Sequence, residues 1–242
     1  MNRIFSHKSF ALLMFISTSY ALSLVILALA FSYYLDHYKI NDVLYDVKYE
    51  FLLINDYDLI LEYLDDLARS NSTQDIATLC EESHDALNSI QYYLRQIGTK
   101  LSRYGQSSTS LSEQDFDYLK REYYLLQLKE YFILRKVKNY CKNQNVTIIL
   151  FFFKKNDDNS LIMGRVLSEV AISLNNTYVL SFDGEYEDVF MLNLLKKRYN
   201  ITRKELPVFI INDRKYTELY NVDEVLKLIY NSKGIEHNTT HY

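Results

Sequence analysis

Apolar and polar positions along this chain change period, and each change marks an element boundary. Ser9 to Tyr34 carries no charged residue, no Gly and no Pro. As a helix rising ~1.5 Å per residue, such a run crosses the ~30 Å hydrocarbon layer of a bilayer, with Ser and Thr hydroxyls bonding back to the helix backbone. From Leu35 onward the apolar residues adopt a 3–4 spacing at Ile40, Val43, Val47, Phe51, Ile54, Tyr57, Leu61 and Leu64. That spacing winds one apolar stripe along a helix. Ser70 to Thr73 interrupts it with residue types that cap helices. A second stripe follows at Ile76, Leu79, Leu87, Ile90, Leu94, Ile97 and Leu101, and Gly105 to Gln114 supplies the next turn. A third runs through Leu119, Tyr123, Leu126, Ile133, Val137 and Tyr140. These segments predict an antiparallel bundle or coiled coil, with helices two and three as a hairpin.

Beyond Asn145 the pattern turns to strands alternating with helices, an α/β signature. Val146 to Phe153 is apolar on both faces, as a central strand is when helices cover both sides. An amphipathic helix from Ser160, a strand in TYVLSFDG, a helix in DVFMLNLLKKRYNI, a strand opening at Pro207, a return strand in RKYTELY and a closing helix capped by Asn221 complete the order. The domain reading is therefore residues 1–8 as a cytoplasmic N-terminus, 9–34 as a transmembrane helix, 35–143 as a helical stalk, 145–230 as an α/β domain and 231–242 as a polar tail.

Charge around the first apolar run sets the expected topology. Arg3 and Lys8 precede it without an acid, whereas Asp36, Asp42 and Asp46 follow it beside Lys39. The positive-inside bias then leaves the N-terminus in the cytoplasm and the rest outside, with Tyr33 and Tyr34 at the interface of a single-pass cell-membrane protein. A cleaved signal peptide is the rival, since Ala28-Leu29-Ala30 has the small-x-small form of a cleavage site. Either reading exports the bulk of the chain, and five sequons (Asn71, Asn145, Asn175, Asn200, Asn238) are consistent with export. A net charge of -4, with short basic runs inside mixed-charge segments, argues against nucleic acid as a partner. The 23 Tyr and 13 Phe in a Trp-free chain are explained as well by an AT-rich genome as by any aromatic function.

Cys80 and Cys141 are the chain's two cysteines, spaced too far apart for a Cys-x-x-Cys or zinc-ribbon pattern. Their midpoint falls near Ser110, inside the expected hairpin turn, so both reach the same height on helices two and three. Outside the cytoplasm such a pair can oxidise; two buried thiols at similar height is the alternative. His84 lies one turn from Cys80, but two ligands do not make a metal site. His237 and His241 fall in the polar tail, and no metal or other cofactor is indicated.

The segment KKRYNITRKELPVFIINDRKYTEL, with Tyr199-Asn200-Ile201 ending a helix and Pro207 opening a hairpin, resembles the thioredoxin-like superfamily, as does VLSEVA in the first helix after the central strand. The resemblance covers about residues 145–230. It implies a thioredoxin-like domain in which Pro207, the chain's one proline, stands for the cis-proline, and Asp157, Asp158, Asn159 and Ser160 occupy the Cys-x-x-Cys positions. Thiol-disulfide exchange needs an attacking thiolate and a second thiol to release the mixed disulfide. A carboxylate and an unactivated hydroxyl replace neither, so this turn caps a helix and the domain reads as redox-inactive. A calcium site from Asp157, Asp158, Asp183 or Glu185 lacks the graded ligand spacing of known loops.

The functional expectation is a protein-binding or assembly module, anchored in the membrane, whose peptide site comprises Leu206, Pro207, Asp157, Asp158 and Ser160. In this family the residue before the cis-proline offers backbone groups to an extended peptide. Two alternatives stand beside it. One is a thiol-disulfide oxidoreductase working through Cys80 and Cys141; the other is a structural coiled-coil membrane protein, with homo-oligomerisation through the stalk.

Overall fold

A computed structural model of the protein describes the backbone over residues 7–70, 72–106, 113–141 and 144–232, and side chains over 14–34, 55–70, 72–102, 115–141 and 144–231. The side chains of the stripe positions from Ile40 to Ile54 lie outside the residues so described, as do most of the Gly105 to Gln114 turn, Asn71, Asn238 and both tail histidines. The elements are α1 (His7–Ser70), α2 (Thr73–Gln106), α3 (Glu113–Tyr140), β1 (Thr147–Phe153), α4 (Asp158–Ser173), β2 (Thr177–Asp183), α5 (Phe190–Arg198), a 3-10 helix (Arg203–Glu205), β3 (Val208–Ile211), β4 (Arg214–Tyr216) and α6 (Val222–Ser232). They form a mixed helix and sheet protein that divides into two units, Met1–Asn55 and Asp56–Tyr242.

In the first unit, Met14–Tyr34 has a mean hydropathy of 2.0 and no buried residue, apolar enough to cross a membrane or to serve as a signal sequence. Its polar hydroxyls are satisfied within the helix. Ser17, Thr18 and Ser23 donate to the carbonyls of Met14, Phe15 and Tyr20 at 3.0, 3.0 and 2.8 Å, which removes the cost of carrying them into lipid.

Within the second unit, the end of α1 from Asp56 packs with α2 and α3. Tyr57, Leu64, Leu79, Leu87, Ile90, Leu94, Ile97, Leu126, Ile133 and Val137 are buried, so the stripes cover one another. Polar pairs report the register. Asp58 and Asp65 of α1 meet Lys129 and Lys136 of α3, a parallel pairing. Tyr57 meets Ser89 at 2.7 Å and Ser70 meets Asp75, while Gln91 meets Glu130 and Cys80 meets Cys141, which together set α2 antiparallel to both neighbours. Ser72 caps α2 by accepting from the Asp75 amide at 3.3 Å.

The four-stranded sheet has the order β2-β1-β3-β4. β1 runs parallel to β2, from Thr147 opposite Thr177 to Phe153 opposite Asp183, and antiparallel to β3, with Phe152 opposite Val208. One face carries Ile149, Phe151, Phe209 and Ile211 against Met163, Leu167 and Val170 of α4 and Val225 and Ile229 of α6. The alternate residues Ile148, Leu150, Phe152, Leu180, Phe182, Val208 and Ile210 are equally buried on the other face. There α3 packs, its Tyr124 ring 5.6 Å from Phe182. The continuous apolar run of β1 thus reflects helices on both faces.

Two local features differ from the sequence reading. The loop before Pro207 closes into a 3-10 helix, because Thr202 and Glu205 form a reciprocal capping box. β4 stops at Tyr216 rather than running to Tyr220, since it pairs with the short β3 alone. Asn212 and Asp213 join these strands with φ of 50° and 64°, the left-handed pair that a two-residue hairpin turn requires. α6 begins where expected, with Asn221 Oδ1 accepting from the Glu224 amide at 3.0 Å.

Candidate functional site

Because β1 and β2 are parallel and β3 is antiparallel to β1, the C-terminal ends of β1 and β2 and the start of β3 share one end of the sheet. In open α/β sheets this is where ligands gather. Three chain segments meet there: the turn Lys154 to Ser160, the turn at Asp183 and Gly184, and Leu206-Pro207.

The first segment is a closed cap. Asp157 holds extended backbone at the N-cap of α4 and accepts from both the amide and the hydroxyl of Ser160, each at 2.8 Å. Ser160 Oγ in turn accepts from the Lys154 amide at 2.9 Å and is buried. Hydrogen bonds from the Ser160 amide and hydroxyl, helped by nearby Lys154, hold the Asp157 carboxyl below the usual range. Ser160 is therefore spent on structure. Asp158 and Asn159 are exposed on the first turn.

Leu206 and Pro207 lead into β3 at the same end, with a cis peptide between them. Pro207 is buried and Leu206 half-buried. The Leu206 side chain lies directly over Gly184, where an added Cβ would come 2.5 Å from Leu206 Cδ2 and 3.2 Å from Cγ. Gly184 is needed for this close approach, and its amide donates to Phe153 O at 2.8 Å, closing the end of the parallel ladder.

Asp183, at 6 % exposure, tethers α3 to this end. Its carboxylate receives Lys120 Nζ at 2.7 Å and the Glu185 amide at 3.0 Å, and its own amide donates to Tyr124 OH at 3.0 Å. Lys120 also lies 4.4 Å from the centre of the Tyr186 ring, which meets Tyr124 edge-on at 5.3 Å. Burial pushes the Tyr124 and Tyr186 phenols well above their ordinary range, so both stay neutral. A cavity of about 330 Å³ opens beside this cluster, walled by Leu101, Phe116, Tyr123 and Phe153. The sequence reading considered Asp183 as a calcium ligand; the structure commits it to Lys120. Among the described residues no three His, Cys, Asp or Glu side chains gather to hold a metal.

Cys80 and Cys141 are joined by a disulfide, with Cα atoms 5.8 Å apart. It fastens the first turns of α2 to the residue following α3, and Cys141 is 5 % exposed. Sequence reasoning missed Lys120, Tyr124, Gly184 and Tyr186, none of which carries a local motif. The Thr202 to Glu205 capping box was readable from its Thr-x-x-Glu spacing.

No family model matches the chain, and no curated protein does. A solved structure described as "Structure of a malarial protein" is similar at 15% identity over 36% of this chain and 97% of its own, with a TM-score of 0.30. At that score the likeness assigns neither fold nor function.

Proposed function

We propose that residues 145–230 form a thioredoxin-like domain without thiol chemistry, tethered outside the cytoplasm by the N-terminal helix, and that it binds an extended segment of another protein. The strand order β2-β1-β3-β4, with β1 and β2 parallel and the other neighbours antiparallel, supports the fold. So do helices on both faces and Pro207 at the entry to β3. The observation that carries the functional reading is the closed Asp157–Ser160 cap at the end of the sheet it shares with Leu206. A site built around capping oxygens has nothing with which to exchange disulfides, whereas backbone groups at Leu206 need no thiol to pair with a peptide.

Leu206 has a φ of -65°, which proline accepts. Leu206→Pro removes the backbone donor there, but it also removes the side chain seated on Gly184 and strains Glu205, which precedes the new proline from within the 3-10 helix. A photo-crosslinker at Leu206 of the full chain in native membranes should capture a protein partner, and one at exposed Leu219 should not. Equal capture at both positions would refute the site. Protease added to the outer face should remove the domain if the topology is as proposed; protection until lysis reverses it. The competing oxidoreductase reading uses Cys80 and Cys141, and burial of Cys141 weighs against attack on that bond. Insulin-reduction turnover by the full protein that disappears in Cys80→Ser would replace the binding reading with the enzymatic one.

A further inference from the structure

The outer edge of β2 is a second place where the chain can accept a strand. In the parallel ladder, Asn176 O accepts from the Thr147 amide at 2.9 Å and the Gly184 amide donates to Phe153 O at 2.8 Å. Even-numbered residues of β2 thus turn their N–H and C=O towards β1, and Thr177, Val179, Ser181 and Asp183 turn theirs outward. At Asp183 these groups are taken, the amide by Tyr124 OH and the carbonyl by the Tyr186 amide at 3.1 Å. Among the described residues nothing bonds the outward groups of Val179 and Ser181.

This edge is half-buried and borders two openings. Val179 borders a cleft of about 480 Å³ whose far wall is Arg95, Thr99, Tyr123, Gln127 and Glu130 of α2 and α3. Ser181 and Asp183 border the cavity of about 330 Å³ walled by Leu101, Phe116, Tyr123 and Phe153. Tyr123 lines both, so the two openings adjoin at that side chain and together border the edge. In the first of them Gln127 is 4 % exposed, and its Oε1 has no partner. A buried acceptor left unsatisfied is costly, and a donor arriving with a ligand relieves that cost. Arg95 lines one cavity and Lys155 the other. Both are exposed, and neither has an ion-pair partner among the described residues.

We propose that this groove binds an extended, acidic segment of a partner polypeptide by strand addition to β2. Its backbone pairs with Val179 and Ser181, one bulky apolar side chain fills the cavity beside Phe116 and Phe153, a polar donor reaches Gln127 Oε1, and flanking carboxylates meet Arg95 and Lys155. A second copy of this chain is the poorer occupant, because pairing β2 with β2 would bring another α2–α3 hairpin into a groove that its own hairpin already walls. The groove adjoins the Leu206 end of the sheet at Asp183, but the proposal does not rest on that residue binding a peptide.

The test measures fluorescence anisotropy of labelled octapeptides on the full-length protein in neutral detergent, against empty micelles. The probes are a glutamate and threonine peptide with one central leucine, its lysine-for-glutamate counterpart, and the acidic peptide N-methylated on alternate amides. The acidic peptide should bind saturably, and the other two at least about tenfold more weakly. Ser181→Pro, which deletes an outward N–H at an edge position where proline is tolerated, should cost about tenfold as well. Leu101→Trp, filling the apolar cavity without touching β2, serves as the independent variant if Ser181→Pro misfolds by circular dichroism. Arg95→Glu with Lys155→Glu should reverse the preference between acidic and basic peptides. Several results overturn the proposal: no saturable binding, equal binding of the N-methylated peptide, no reversal by the charge variants, or full affinity retained in both Ser181→Pro and Leu101→Trp. So does a self-association seen in sedimentation that Ser181→Pro abolishes, since the occupant would then be a second copy.

Discussion

Glu130 should make the stability of this protein fall as pH rises. It sits between α2 and α3 at 4 % exposure, with Gln91 Nε2 donating to it at 3.2 Å. Burial pushes its carboxyl up to about 7, partly offset by that hydrogen bond. An unfolded glutamate titrates near ~4.3. With the folded value the higher, the folded state holds this proton more tightly, so the contribution is intact below ~4.3 and is lost as pH climbs through 7. Each pH unit between the two values corresponds to ~1.4 kcal/mol, giving a loss of roughly 4 kcal/mol by pH 8.5. The neighbouring Tyr123 and Tyr178 phenols are themselves pushed up by burial and by Glu130, and stay neutral throughout this window. Glu130→Gln keeps the shape and an acceptor for Gln91 but cannot ionise. Thermal unfolding of the full chain in detergent, followed by tyrosine signals because the chain has no Trp, should find the two proteins alike at pH 4.5. At pH 8.5 the variant should melt higher by roughly 8–15 °C. A gap that stays constant from pH 4.5 to 8.5 would show that the carboxyl does not titrate between those limits, and the burial argument would fail.

Other expectations follow from the same contacts. Replacing both Cys80 and Cys141 by Ser removes a cross-link of sequence separation 61, which in the chain-entropy account costs about 4 kcal/mol; a melting temperature insensitive both to the substitutions and to reductant would rule this out. Gly184→Ala should destabilise by about 1–3 kcal/mol by driving Leu206 off its seat, and adding Leu206→Ala should recover most of the loss. Failure of that rescue would mean the clash lies elsewhere. Asp157→Ala should speed hydrogen exchange at the Ser160 amide without unfolding the sheet, whereas unchanged exchange would mean the cap contributes nothing. In the wild type the same amide should lose protection as pH falls below the ordinary aspartate range, because the Asp157 value is depressed.

Much of the architecture is legible locally. Val146 to Phe153 reads as a two-faced buried strand because every position is apolar, and Thr147–Phe153 is that strand. Asp157 and Asn221 read as helix caps because their oxygens reach amides three residues on, and both do so. The uncharged run ending at Tyr34 reads as a possible span because length and hydropathy alone define one. Cys80 and Cys141 were brought to one height by counting residues either side of a turn. In each case the controlling interaction is short in sequence or repeats with the period of a helix or strand.

What the sequence by itself determined, then, is the list of elements, their caps and which face of each is apolar, since these depend on backbone geometry and local hydrogen bonds. Only the tertiary structure decided that α3 lies across the sheet, that Lys120 meets Asp183 63 residues away, and that Leu206 rests on Gly184. It alone decided that Glu130 loses its water and that the open edge of β2 runs beside a helical wall. Those outcomes depend on which apolar stripe chooses which partner. An apolar stripe specifies that it must be covered, whereas the identity of its cover is fixed by packing every element at once.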